Sequence, residues 1–143
     1  MEKTLAVIKP NVMESHNYRE VLRFIEDFGF KIIDRKLSIP TVDFVMEFYK
    51  EHSKKPHFTR LVGGMSNRKW LFLSLSHPDG NTIQKWRQSM VFLRYKFSGT
   101  ELHDNAVHGS DSEESAKKEI DLVFGYFLDK CVSSVKLVDN EDD

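Results

Sequence analysis

The residues best suited to chemistry lie in Asn105-Ala106-Val107-His108-Gly109-Ser110-Asp111-Ser112. Ala106-Val107 reads as the end of a buried strand that delivers His108. Gly109 permits a tight turn or a close approach of backbone to a ligand, and Ser112 stands where a helix N-cap belongs. Glu113 and Glu114 fall in the first turn of that helix and precede Lys117 and Lys118 at i,i+4, the favourable order. Ala116, Ile120, Val123, Phe124 and Phe127 continue at helical spacing, with Gly125 expected to end the helix near Phe124. His108 is thus displayed at a strand-to-helix junction. An imidazole with an unperturbed pKa of about 6.5 keeps one nitrogen free to attack at neutral pH while a carboxylate or carbonyl holds the other. Glu119, about two turns into the helix, is placed to fold back toward it. Taken alone, the same arrangement also suits a structural or capping histidine.

The elements that must position this histidine are legible as alternating short apolar runs and helical faces. Leu5-Ala6-Val7-Ile8 is wholly apolar and ends at Lys9-Pro10, which predicts a buried central strand with Lys9 at its end. Asn17 and Glu20 resemble a capping box before a helix that presents Val21, Leu22, Ile25 and Phe28 and closes at Gly29. A second strand runs from Lys31 to Ser38 and is ended by Pro40. Thr41 is expected to cap a helix carrying Phe44, Val45, Phe48 and Tyr49, and a further helical segment spans Phe58 to Met65. Trp70 to Ser76 is the third strand, Asn81 to Met90 another helix, and Val107 lies near the end of a fourth strand. The order β-α-β-α-β-α-β-α predicts an α/β sandwich, with helices on one face of a mainly antiparallel sheet.

Composition narrows the class. A chain of 143 residues, 40% hydrophobic, suits one globular domain; it is placed at residues 1–138, with the acidic residues 139–143 as a solvated tail. Lys and Arg total 21 against 22 Asp and Glu, so no overall basic surface argues for nucleic acid, and Lys54-Lys55 and Arg68-Lys69 read as solvated charges. Cys131 is the single cysteine, which leaves no intramolecular disulfide and no multi-cysteine zinc site. The run from Leu5 to Ile8 is too short for a signal-peptide core or a membrane span; a cytoplasmic protein is expected.

The sequence resembles the nucleoside diphosphate kinases. Thr4-Leu5-Ala6-Val7-Ile8-Lys9-Pro10 is similar to that family's first strand, and Asn105 to Ser112 with Glu114-Ser115-Ala116 and Glu119-Ile120 is similar to its active-site signature. The resemblance implies an α+β fold, a ferredoxin-like βαββαβ sandwich with a four-stranded sheet. It also implies reversible ping-pong transfer of a γ-phosphoryl group from a nucleoside triphosphate to a diphosphate. By this resemblance His108 is the phosphorylated nucleophile, Glu119 orients its ring, Ser110 helps to position it, and Tyr49 supports Lys9 and the histidine. Lys9 would meet the γ-phosphate and ribose 3′-hydroxyl, Asn105 the same hydroxyl, Arg87 the β-phosphate and Arg94 the group in transfer, a task that suits the guanidinium fork. Leu61 would belong to the nucleotide site, His57 or Phe58 would stack on the base, and Leu102 would cover its other face. Mg²⁺, held mainly by phosphates and water, would be supported through water by Asp111. A homo-oligomer, a hexamer in most of the family, is the expected assembly. The alternative on the same fold is a non-catalytic nucleotide-binding or scaffold protein. One departure is plain: most of the extended loop between the family's two active-site arginines is absent, Leu93 stands where its phosphate-contacting threonine would align, and either Arg94 or Lys96 is left for the second arginine's role.

Overall fold

The structure, a computed structural model, describes residues 1–132. The segment 139–143, and with it the boundary expected at residue 138, lies outside the described residues. Four strands, β1 (Thr4–Ile8), β2 (Lys31–Ser38), β3 (Trp70–Ser76) and β4 (Val107–Gly109), form one sheet in the order β2-β3-β1-β4. Every neighbouring pair is antiparallel. This is the ferredoxin-like arrangement expected from the sequence resemblance.

Among the described residues seven α-helices connect and cover the strands: α1 (Pro10–Glu14), α2 (Tyr18–Asp27), α3 (Val42–Phe48), α4 (Phe58–Met65), α5 (Thr82–Phe97), α6 (Glu113–Phe124) and α7 (Phe127–Lys130). They lie on both faces of the sheet rather than on one. The cause is the composition of β1 and β3, which are buried along their whole lengths. Ala6, Ile8, Leu71, Leu73 and Leu75 meet α1, α2 and α5 through Val12, Val21, Ile25, Trp86, Met90 and Leu93. The alternate residues Leu5, Val7, Trp70 and Phe72 meet α3, α4, α6 and α7 through Phe44, Phe48, Met65, Val123 and Leu128. Strand side chains alternate between faces, so an unbroken apolar run requires a cover on each side. Each fully buried Leu, Ile or Phe contributes roughly 1.5–3 kcal/mol, which makes these two layers the main source of stability.

Several local expectations change. Pro10 starts a helix as well as ending β1, because a proline at the first helical position forfeits only an N–H that would be unpaired anyway. Asn17 makes no side-chain cap; its amide donates to Ser15 Oγ at 3.1 Å instead. Thr41 precedes α3 without capping it, and its hydroxyl donates to the Cys131 carbonyl at 2.9 Å. Helix α5 extends to Phe97, well beyond Met90. Ser112 does cap α6, its Oγ accepting from Ser115 N at 3.0 Å. Gly125 ends that helix without a positive φ; a Cβ there would collide with the Asp121 carbonyl.

Arg68 is not a solvated charge. Its guanidinium donates to both carboxylate oxygens of Glu14 at 2.9 and 2.7 Å, to the Gly64 carbonyl at 2.6 Å and to Asp104 Oδ1 at 3.3 Å. It thereby ties α1, α4 and the loop before β4 together.

Ser112, which caps its helix, and Asn17, which does not, make contrasting predictions. Ser112→Ala is expected to cost about 1 kcal/mol in urea unfolding, whereas Asn17→Ala should stay within about 0.5 kcal/mol, as for a surface change that removes no cap.

Candidate active site

β4 positions the histidine by strand alternation. Val7 pairs with His108 across the β1–β4 ladder, with Ala6 opposite Gly109 and Ile8 opposite Val107. Paired residues share a face, so His108 points toward α3 and α6 while Val107 and Gly109 face α5. The His108 ring lies 5.0 Å from the Phe48 ring and 6.5 Å from that of Tyr49. Behind the strand, Trp86 Nε1 donates to the His108 carbonyl at 2.9 Å. Gly109 serves close packing rather than a ligand, because a Cβ there would stand 2.5 Å from Trp86 Cδ1.

Glu119 reaches back from α6 as the helical spacing suggests. His108 Nε2 is 2.9 Å from Glu119 Oε1, and Ser110 Oγ donates to the same oxygen at 2.8 Å. Ser110 is fully buried and its Oγ in turn accepts from Leu5 N at 3.1 Å, so the hydroxyl anchors the carboxylate to β1. A carboxylate only accepts hydrogen bonds. Nε2 therefore carries the proton, and Nδ1 is left with its lone pair.

Just before the histidine the backbone is strained. Ala106 has φ +73° and Val107 N bonds back to the Asn105 carbonyl at 2.9 Å, a γ-turn of the rare positive-φ kind. The turn is held by Lys9 N, which donates to the Ala106 carbonyl at 2.9 Å, and the Asn105 side chain accepts from Lys9 Nζ at 2.5 Å. Lys9 is buried, and burial together with Arg94 brings its pKa down to about 7, against the opposing pull of Asp104. Tyr49 is also buried; burial, and then the charge of Glu119, push its hydroxyl up. That hydroxyl has no hydrogen-bond partner, so it bonds neither Lys9 nor His108.

The arginines come from the opposite face of the sheet, around its edge. In an antiparallel ladder the polar groups of successive residues point to alternate sides. Ala106 O and Ser110 N turn toward β1, which leaves the carbonyls of Val107 and Gly109 on the free edge. Arg94 donates to Val107 O from Nε at 3.3 Å and Nη2 at 3.1 Å, and Arg87 donates to Gly109 O at 3.3 Å. Helix α5 runs without interruption from Thr82 to Phe97, so both arginines project from one helix. Lys96 instead pairs with Glu20 at 3.5 Å, and Leu93 is buried in the core.

Two adjoining cavities open on the histidine. One of about 400 Å³ is lined by Phe48, Tyr49, Arg87, Arg94, His108, Asp111, Ser115 and Glu119. Asp111 accepts from Ser115 Oγ at 2.7 Å, and this bond, with Arg87, holds its carboxyl below the usual range. The other, of about 340 Å³, is lined by Lys9, His57, Leu61, Arg94, Leu102, Asn105 and His108. Every residue expected at the site borders one cavity or both, save Ser110, which lies beneath. Phe58 packs into the core and leaves the cavity wall to His57. Sequence reasoning missed His52, His103 and Arg60 on the walls; isolated histidines and an exposed arginine carry no spacing signal.

An imidazole with one free nitrogen, facing two arginines and a buried lysine, suits phosphoryl transfer. The chain belongs to the nucleoside diphosphate kinase family, whose sequence model matches residues 2–127. It is 37% identical over 134 residues to a nucleoside diphosphate kinase of Geotalea uraniireducens, covering 87% of this chain and 96% of that protein. To that of Bdellovibrio bacteriovorus it is 34% identical over 134 residues, covering 87% and 93%. It is also 34% identical to a thioredoxin domain-containing protein 3 homolog of Heliocidaris crassispina, but spans only 16% of that protein's length. Among solved structures, a nucleoside diphosphate kinase family protein from Babesia bovis has a TM-score of 0.78 at 28% identity, covering 96% of this chain and 95% of that one. The Aquifex aeolicus enzyme has a TM-score of 0.73 at 30% identity, covering 96% and 99%.

Lys9 predicts a pH dependence of stability. An unfolded lysine keeps its proton to about pH 10.4, whereas Lys9 releases it near 7, so between these values the unfolded chain binds more protons. Stability should therefore rise with pH through that window. In urea unfolding from pH 7 to 10, Lys9→Met should flatten the rise seen in the wild type; parallel curves would contradict it. At the strained turn, Ala106→Gly should be neutral or stabilising, since relief of about 1–3 kcal/mol meets the loss of one buried methyl, about 0.8 kcal/mol.

Proposed function

We propose that this chain is a nucleoside diphosphate kinase that passes a γ-phosphoryl group through His108. The observation that carries the reading is the Leu5–Ser110–Glu119–His108 hydrogen-bond chain, which leaves Nδ1 as the nucleophile at the junction of the two cavities. The Nδ1 lone pair attacks the γ-phosphorus of a nucleoside triphosphate, the bond from that phosphorus to the β-phosphate oxygen breaks, and the diphosphate leaves with the electron pair. A second diphosphate then attacks the phosphohistidine, and the phosphorus–nitrogen bond breaks to restore the imidazole. Glu119 holds the ring orientation and stabilises the positive charge that the ring gains.

Arg94, Arg87 and Lys9 face the phosphates, where fixed donors in a secluded site act most strongly on charge spread over the transferring group. Lys9 and Asn105 are close enough together to share the ribose 3′-hydroxyl. His57, Leu61 and Leu102 form the base subsite; stacking tolerates any base, so broad nucleotide specificity is expected. Asp111, ionised and beside Arg87 in the phosphate cavity, fits support of Mg²⁺ through water. Phosphate oxygens and water would be the ion's main ligands, as is usual for Mg²⁺ at nucleotide sites. When bound there, the ion would offset phosphate charge and hold the phosphate chain in line.

The reading extends to a single domain over residues 1–138 with an acidic tail, a homo-oligomer of hexameric type, and a cytoplasmic location. No helix among the described residues is long and apolar enough to cross a membrane. A non-catalytic binding module would leave the ordered His108–Glu119–Ser110 chain without a task.

With Mg²⁺ and ATP but no acceptor, intact-mass measurement should show one acid-labile phosphoryl adduct that GDP removes and that His108→Ala lacks. Glu119→Gln should slow adduct formation on the order of 10²-fold. Nucleotide binding without an adduct in the wild type would overturn the reading.

A further inference from the structure

The cavity around Lys9 is strongly unbalanced in charge. Arg94 from α5, Arg60 and His57 from the start of α4, His52 from the 3-10 turn Lys50–His52, His103 from the loop before β4, and His108 from β4 all border it. Tyr49 is there as a neutral phenol, and no carboxylate is among the described residues that line it. The carboxylate that acts on Lys9 stands behind the wall: Asp104, next in sequence to the Asn105 that receives the Lys9 ammonium.

Asp104 is itself closely held. Its backbone carbonyl accepts from Gly99 N at 2.7 Å and its N–H donates to Glu101 O at 3.0 Å. Its side chain, 17% exposed, accepts from Arg68 at 3.3 Å, with His103 Nε2 at 3.7 Å. Arg68 is shared in turn with Glu14 on α1. Glu14, Arg68, Asp104 and Lys9 therefore form an alternating series of charges that ends in the nucleotide cavity.

We propose that Asp104, balanced by Arg68, is a positioning residue that fixes the charge Lys9 presents to the nucleotide phosphates. It touches neither substrate nor nucleophile; it acts through Lys9. The inference rests on the kinase reading above. A negative charge behind a buried lysine favours its protonated form, and a cation paired with that negative charge weakens the effect. The two partners of one ion pair must therefore push Lys9 in opposite directions. A merely structural bridge predicts the same loss from either side.

The test is the pH profile of phosphohistidine formation from ATP, together with calorimetric proton uptake on ADP binding at about pH 7, where Lys9 titrates, in buffers of differing ionisation enthalpy. Asp104→Asn should move the alkaline limb of the profile to lower pH and increase proton uptake on binding. Arg68→Gln should move the limb to higher pH and reduce the uptake. Should Arg68→Gln not fold, Arg68→Lys replaces it: a lysine cannot reproduce the forked guanidinium contacts to Glu14 and Asp104, so it should shift the limb in the Arg68→Gln direction, by less. Limbs that stay in place, or Asp104 and Arg68 variants that shift alike, would overturn the inference while leaving the kinase intact. A wild type that forms no adduct would instead remove the reading on which the inference rests.

Discussion

One hydrogen bond organises the site: that between His108 Nε2 and Glu119 Oε1, at 2.9 Å. It decides which ring nitrogen holds the proton and which faces the cavity. The bond requires β4 to lie in one register on β1, since a slip of one residue would turn His108 to the opposite face. It also requires α6 to begin where Ser112 caps it, because Glu119 is fixed relative to that start. Ser110 joins the two requirements by bonding Glu119 with its hydroxyl proton and Leu5 N with its lone pair.

The cost of displaying the histidine is met in the backbone around it. Ala106 occupies a conformation that a residue with a Cβ rarely adopts, and it is retained because Lys9 N, Asn105 and the β1 ladder over-determine it. Gly109 has no side chain because Trp86 fills its space while holding the His108 carbonyl. On the exposed edge of β4, the carbonyls of Val107 and Gly109 are covered by Arg94 and Arg87. The same guanidiniums that line the cavity beside His108 therefore also finish the edge strand.

What the sequence revealed follows from how local each signal is. The apolar runs of β1 and β3, the Ser112 cap and the return of Glu119 toward His108 depend on neighbours a few residues away, and each was readable. The two-sided packing was implied by the consecutive apolar residues Leu5 to Ile8 and Trp70 to Leu73, which must point to both faces, yet it becomes plain only when both layers are seen. The Asn17 and Thr41 caps failed because nearby groups, Ser15 and the distant Cys131 carbonyl, took their side chains. Arg68 looked like a surface charge because its partners Glu14, Gly64 and Asp104 converge only in three dimensions. That Arg94 rather than Lys96 borders both cavities likewise follows from the uninterrupted course of α5, which no spacing rule fixes.

The measurement that bears most directly on the central constraint is the site of phosphorus attachment. Phosphorus–nitrogen NMR couplings in the ring-labelled phosphoprotein distinguish the two nitrogens of His108. Phosphorus on Nδ1, with Nε2 still protonated and bonded to Glu119, is the expected result. Phosphorus on Nε2 would contradict it, for that nitrogen could then no longer be held by the carboxylate.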